Sequence, residues 1–260
     1  MTAPIRLEIN SSAAEIILER PSRRNALTLS MWQALPGLVA SATADPGVSA
    51  VLLHGGDTGA FAAGADISEF AETYATPASA ARAADIMAAA LTALETCPKP
   101  VIAAIEGACV GGGVSLAMAA DVRIAGAGAR FAVTPGKLGL VYAAGDTRRL
   151  ITAVGAGAAK DILFTGRSFG AAEAGAMGLV DRLCAEGAAL DEARRLAGDI
   201  ASLSQWSVRA TKAMIRGLQS GWSETEGPAR DLFLAGFLND DFREGYTAFL
   251  EKRAARFPQV

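Results

Sequence analysis

Val101-Ile102-Ala103-Ala104-Ile105-Glu106-Gly107-Ala108-Cys109-Val110-Gly111-Gly112-Gly113-Val114-Ser115-Leu116-Ala117-Met118-Ala119-Ala120 changes character halfway along. Its first part is short, apolar and β-branched, the signature of a buried strand; its last part is a run of small and helix-forming residues. Glu106 is its single charge, so this is the chain's only candidate membrane span. The four glycines divide it, and a buried strand followed by a buried helix is the better reading. The first N–H groups of a helix have no intrahelical partner, so the glycine turn leaves donors bare and approachable. Phe61-Ala62-Ala63-Gly64-Ala65-Asp66 has the same strand-to-helix form. Aimed at one developing negative charge, two such turns can make an oxyanion hole.

Working outward, strand signals recur at 5–9, 15–18, 48–54, 101–106, 122–125 and 131–133, with helical patterns at 30–41 and 78–95. Pro98 and Pro100 close the second of these helices. The alternation predicts an α/β fold with parallel strands. Beyond about Gly155 the pattern becomes helical, at 158–164, 190–203, 208–218, 224–237 and 244–253. No low-complexity linker is visible, and the glycine-flanked segment 217–227 is the one weak hinge. The expected organisation is a core over 1–195 and a helical region over 196–260.

With 260 residues, 51% of them hydrophobic, the chain has ample material for a buried core. A net charge of −3, with basic and acidic residues interspersed, supplies no basic stripe, so nucleic acid is not an expected partner. Cys97, Cys109 and Cys184 are odd in number and lack CxxC spacing, which argues against a disulfide framework or a zinc site and fits a reducing cytoplasm. Met1-Thr2-Ala3-Pro4 leads directly into an alternating strand, without the pattern of a secretory signal.

Several further motifs join the two turns: Arg20-Pro21-Ser22-Arg23-Arg24-Asn25-Ala26-Leu27, Lys99-Pro100 before the buried strand, Thr165-Gly166-Arg167, Ala174-Gly175-Ala176-Met177-Gly178-Leu179-Val180, and Arg243-Glu244-Gly245 with Phe249-Leu250-Glu251-Lys252-Arg253. In this order and spacing the chain resembles the enoyl-CoA hydratase/isomerase family, the crotonase superfamily, over nearly its whole length. The resemblance implies a crotonase-like spiral of ββα units with a C-terminal helical oligomerisation region, assembled as a homotrimer or a hexamer built as a dimer of trimers. It implies an acyl-CoA thioester as substrate, coenzyme A entering only as part of it, with no metal and no membrane. By position, Ala65 and Gly112 match the residues whose backbone N–H groups hold the thioester oxygen. The coenzyme A moiety is expected along Arg24, Ala26, Ala63, Asp66 and Ile67, with Lys252 reaching it from the tail; Arg23, Arg24 and Lys252 read equally well as solvated surface charges.

Against the family pattern two acids are missing. The positions that carry glutamates in its hydratases read Ser115 and Pro135, and the acid of another subgroup reads Ala143. A general acid or base contributes about 10²–10⁴-fold, so ordinary hydration of 2-enoyl thioesters is not expected to be efficient. Asp146 is the nearest carboxylate. It reads as a base, as an N-cap or as an ion-pair partner of Arg148 or Arg149. Tyr142 is a candidate donor or half-buried packing, and Ser115 a nucleophile, a water holder or a pocket-enlarging replacement. The single histidine, His54, reads as the loop-facing end of a strand. Glu69 and Glu72 read as acids leaning toward the acyl end or, more simply, as a solvated helix face, Cys109 as a small buried residue, and Lys137 as facing solvent. The expected activity is isomerase-like or hydratase-like chemistry on a thioester enolate. The alternatives are a non-catalytic acyl-CoA binder and a thioester hydrolase or C–C cleaving enzyme.

Overall fold

The computed structural model describes residues 4–257; residues 1–3, expected to lead directly into the first strand, lie outside it. Strands β1 (Ile5–Asn10) and β2 (Ala13–Leu18) form an antiparallel hairpin. Helix α1 (Leu29–Ala44) follows, opened by Thr28, whose side chain accepts the Met31 N–H. Strand β3 (Ala50–His54) pairs parallel to β2. After the Phe61–Asp66 turn come a single helical turn, α2 (Phe70–Thr73), and α3 (Pro77–Thr96), whose N-terminus is closed by reciprocal hydrogen bonds between Thr76 and Ser79. Strand β4 (Val101–Ile105), strand β5 (Ala108–Val110) and helix α4 (Gly112–Met118) resolve the segment that opened the sequence reading.

The remaining elements are β6 (Val122–Gly126), β7 (Arg130–Ala132), α5 (Ala144–Thr165), β8 (Ser168–Gly170), α6 (Ala171–Ala176), β9 (Arg182–Cys184), α7 (Ala189–Ala201), α8 (Gln205–Gln219), α9 (Pro228–Ala235) and α10 (Asp240–Leu250). A large sheet runs β1-β2-β3-β4-β6-β9 and a small one β5-β7-β8. Beyond the initial hairpin every pairing in the large sheet is parallel. One face packs against α1 and α3 through residues such as Leu53, Ile105 and Leu94, and the other buries Leu52, Ile102 and Ile124 against Ala193 and Leu196 of α7. Burial of each such side chain contributes about 1.5–3 kcal/mol. Helix α7 is continuous across position 195.

Two helices start where the sequence pattern did not place them, and three strands were not read at all. The helix read at 158–164 is the second half of α5, which begins at Ala144 and is interrupted at Gly155, where φ +74 and ψ 162 leave the helical region. The helix read from 224 begins at Pro228, a first-turn proline behind Gly227. Strands β5, β8 and β9 each span three residues, too short to show an alternating pattern.

Lys99 is a buried cation at 1% exposure. Its Nζ donates to the carbonyls of Ala42 at 2.9 Å and Asp45 at 2.5 Å, closing the C-terminus of α1. Burial lowers its pKa, with the Arg209 charge acting in the same direction. Among the described residues no helix is long and apolar enough to cross a membrane, and all three cysteines are free.

Candidate active site

The two turns singled out in the sequence lie side by side. The Ala62 N–H donates to the Ala108 carbonyl at 2.9 Å and the Val110 N–H returns to the Ala62 carbonyl at 2.9 Å, a parallel bridge between turn and strand. Ala65 bridges Leu27 in the same way. Leu27 reaches the other turn as well: its Cδ1 lies 3.2 Å from where a β-carbon on Gly112 would stand. Gly112 is the first residue of α4, so its N–H lacks an intrahelical acceptor. Among the described residues no hydrogen bond engages the N–H of Ala65 or of Gly112. Leu27 thus pairs with one turn and packs beside the other, and each turn carries an uncommitted donor.

The loop that carries Leu27 is tied down by polar groups the sequence carried in its Arg20–Leu27 motif. Asn25 is fully buried; its Nδ2 donates to Thr58 Oγ1 at 2.7 Å and to the Ala60 carbonyl at 2.8 Å, and its Oδ1 accepts the Arg20 N–H at 2.8 Å. Arg20 donates to the Ala26 carbonyl and, at 2.8 Å, to the Asp66 carboxylate. Asp66 also accepts from the Ser68 hydroxyl at 2.6 Å and from the Ser68 N–H at 3.1 Å. These donors, the Ser68 hydroxyl foremost, hold its carboxyl down at about 2. The Asp66 N–H is committed to the Leu27 carbonyl and the Ala63 N–H to the Arg24 carbonyl. Asp66 and Ala63 therefore shape the loop, while exposed Arg24 and Ile67 remain open to a ligand. Lys252 is exposed just past α10, with its N–H on the Phe249 carbonyl and no hydrogen bond or ion pair to the Arg24 loop among the described residues.

On the α4 side the structure brings Ser115, Tyr142 and Asp146 together. The Ser115 and Tyr142 hydroxyls are 2.7 Å apart, and both lie 3.5 Å from the Gly111 carbonyl, next to Gly112. Burial, and then the Asp146 charge, push the Tyr142 phenol upward, so it stays protonated as a donor. Burial also raises the Asp146 carboxyl, against the opposing Arg149 charge and the Ser115 hydroxyl. Asp146 does not cap α5: the capping position is Ala143, and Asp146 sits in the first turn with Arg149 at 3.4 Å. Arg149 in turn reaches Glu95 at 2.6 Å. Pro135 opens a short turn, Pro135–Leu138, with no acid in its first turn.

Other candidates are reassigned by their surroundings. His54 is buried, not loop-facing. Its Nε2 lies 3.2 Å from Glu15, its Nδ1 accepts the Gly56 N–H at 3.1 Å, and Glu15 is held by Arg194 at 2.8 and 2.9 Å. Desolvation lowers its pKa, and with both ring nitrogens committed it is no base for Ser115. Glu69 is not a solvated face residue: its carboxylate accepts the Leu29 N–H at 2.8 Å and lines a cleft with Ala65. Glu72 is exposed, and Cys109 is fully buried with its thiol pushed up by desolvation. Among the described residues no group of three or more His, Cys, Asp or Glu is placed to hold a metal ion. Trp32, which walls the same cleft and occupies the space a side chain on Gly112 would need, carried no sequence signal beyond an apolar helix face.

Uncommitted backbone donors at strand-to-helix turns can polarise a carbonyl, and the proton-bearing side chains beside Gly112 can move a proton. The sequence matches the family model for enoyl-CoA hydratase/isomerase over residues 8–260. It is similar to a protein of Mycobacterium leprae named "probable enoyl-CoA hydratase", at 39% identity over 93% of both chains. It is also similar to a crotonyl-CoA hydratase of Syntrophomonas wolfei, at 36% identity over 96% of both. A crystal structure of an enoyl-CoA hydratase/isomerase family protein from Hyphomonas neptunium superposes with a TM-score of 0.98 at 65% identity, covering 100% of this chain and 99% of that one. The chain belongs to the enoyl-CoA hydratase/isomerase family, with the crotonase fold and its helical C-terminal region.

Proposed function

We propose that this protein binds an acyl-CoA thioester with its carbonyl oxygen between the N–H groups of Ala65 and Gly112, and that its chemistry is proton transfer on the resulting enolate, isomerase-like in preference to hydration. The observation that carries this reading is the Ser115–Tyr142 hydrogen bond beside Gly112, with Asp146 on the same cluster. The Asp146 carboxylate takes the α-proton, and the C–H electron pair passes into the thioester as an enolate whose oxygen the two N–H groups stabilise. Return of the proton at the γ-carbon of a 3-enoyl chain gives the 2-enoyl isomer, the reverse reaction taking the γ-proton and returning it at the α-carbon, and atoms balance without water. Tyr142 and Ser115 position the carboxylate and donate to charge that develops beside it. An isomerase needs only one such base, which accommodates Ser115 and Pro135 where two glutamates would serve hydration.

Arg24, Ala26, Ala63, Asp66, Ile67 and Lys252 are read as the coenzyme A side of the site, with Arg24 and Lys252 supplying charge for phosphate. A homotrimer or a dimer of trimers in the cytoplasm completes the proposal. Its support is the apolar groove of about 560 Å³ between α8 and α10 and the exposed Phe233, Phe237 and Leu238 around it.

Mass spectrometry of the protein with mixed enoyl and acyl thioesters in heavy water tests the reading. Deuterium gain at the α-carbon is expected, falling about 10²–10⁴-fold in Asp146→Asn and clearly in Tyr142→Phe. Because the carboxyl is raised, the rate is expected to climb with pH as its base form accumulates. Tight binding without exchange would replace this reading with the acyl-CoA binder, and free CoA with a carboxylic acid would replace it with a hydrolase.

A further inference from the structure

Glu95 stands in the last turn of α3, where the helix dipole disfavours a carboxylate. Two arginines of α5 offset that cost. Arg149 donates through Nη2 to one carboxylate oxygen at 2.6 Å, and Arg148 donates to the other at 3.0 Å. Burial works to raise the Glu95 carboxyl, but these hydrogen bonds outweigh it and hold the group below its ordinary range. Arg149 is itself 9% exposed, and its Nη1 lies 3.4 Å from the Asp146 carboxylate. Charge-assisted hydrogen bonds between such groups run at about 2.7–2.9 Å, so the guanidinium is committed to Glu95 and only leans toward Asp146. Its buried Nε has no hydrogen-bond partner among the described residues, so the two carboxylates divide it between them.

The consequence falls on Asp146. On its own helix it faces Arg149; from α4 it meets the Ser115 hydroxyl, and the Tyr142 phenol lies beside it with the Cys109 thiol of β5 next in line. Burial pushes both the phenol and the thiol upward, so neither carries charge. Among these neighbours Arg149 is the charged one. At Glu95 that arginine outweighs burial, whereas at Asp146 burial outweighs the arginine and the carboxyl is raised. We propose that Glu95 is a positioning residue for the proton transfer: by drawing the Arg149 guanidinium to α3 it leaves Asp146 under-paired, and so basic enough to take the α-proton. The inference rests on Asp146 as the base of the proposed reaction and adds the residue that tunes it from outside the site. Glu95 acts only through Arg149. An arginine beside a carboxylate lowers the pH at which it titrates by about 1–3 units, so releasing Arg149 from Glu95 would make Asp146 ionise earlier and bind a proton less well.

The test follows α-deuterium exchange of an acyl-CoA thioester against pH for the full chain, Glu95→Gln and Glu95→Asp, with thioester affinity measured alongside. In Glu95→Gln the acid limb of the profile is expected to move down by about one pH unit, with a lower plateau and unchanged affinity. Glu95→Asp, which restores the charge, is expected to keep the limb nearer that of the parent protein. A residue that only braced the fold would lower the rate and leave the limb in place, so exchange with an unmoved limb in Glu95→Gln overturns the proposal. Arg148→Gln, at a side chain 61% exposed where folding is not at stake, decides the matter should Glu95→Gln not fold. It removes a positive charge and leaves Glu95 to Arg149 alone, so an upward shift supports the proposal and an unmoved limb overturns it. No exchange in the parent protein, or exchange that survives Asp146→Asn undiminished, overturns the reading of Asp146 as the base and this proposal together.

Discussion

Asp66 illustrates how a residue next to a reactive position also holds its loop together. Its carboxylate takes Ser68 and Arg20, and its folded pKa of about 2 lies below the ordinary 3.8. Between those values the unfolded chain holds more protons, so the stabilisation is complete above about pH 4 and is lost as pH falls through about 2. Asp66→Asn is therefore expected to lower stability at pH 7, and the gap from the parent protein is expected to narrow in denaturant titrations at successively lower pH. The two turns were legible in the sequence because glycine and alanine at a strand-to-helix turn leave backbone exposed, whereas Ala65 and Gly112 within them came from the family resemblance. Ser115, Tyr142 and Asp146 were legible only one by one. The 2.7 Å contact joins residues 27 positions apart, and no local spacing encodes it. His54 was misread, and Glu69 left between two readings, for the same reason: their partners, Glu15 and Leu29, lie far off in the chain.

At the scale of elements, the crossing between β4 and β5 depends on one glycine. Gly107 has φ +53, and a β-carbon there would lie 2.0 Å from the Gly59 carbonyl oxygen. Both the backbone conformation and the space exclude a side chain. Gly107→Ala is expected to destabilise by roughly 2 kcal/mol or more, read as a lowered denaturant midpoint, with loss of soluble protein as the extreme. The long strands and α1 and α3 were legible because their apolar periodicity survives over many residues. The start of α5 was not, because Gly145, Gly155 and Gly157 mask its helical character and Gly155 does break the helix. The three-residue strands β5, β8 and β9 are edge strands, each held by one neighbour, and carry no pattern of their own.

For the whole molecule, the large sheet is covered on both faces, whereas the α8–α10 region leaves its apolar side open. Phe237 and Leu238 are exposed beside a groove that also includes Trp206 and Phe242. A second copy of the chain is the occupant that the proposed trimer supplies. Sedimentation of the parent protein is expected to give a mass three or six times that of the 26.6 kDa chain, and Phe237→Asp is expected to shift it toward the single chain, since a charge on a buried contact face has no partner. A monomer at working concentrations would remove the trimer from the proposal.

Lys99 bears on the chemistry of thioesters in a different way. Thioesters are acyl donors, and free lysine amines are the groups they modify without any enzyme. Burial lowers the pKa of Lys99, which favours its reactive free-amine form, but the fold seals it between the Ala42 and Asp45 carbonyls. The exposed Lys137, Lys160 and Lys252 bear that risk instead. The one lysine whose acylation would uncap α1 is the one that the native state withholds from its own proposed substrate.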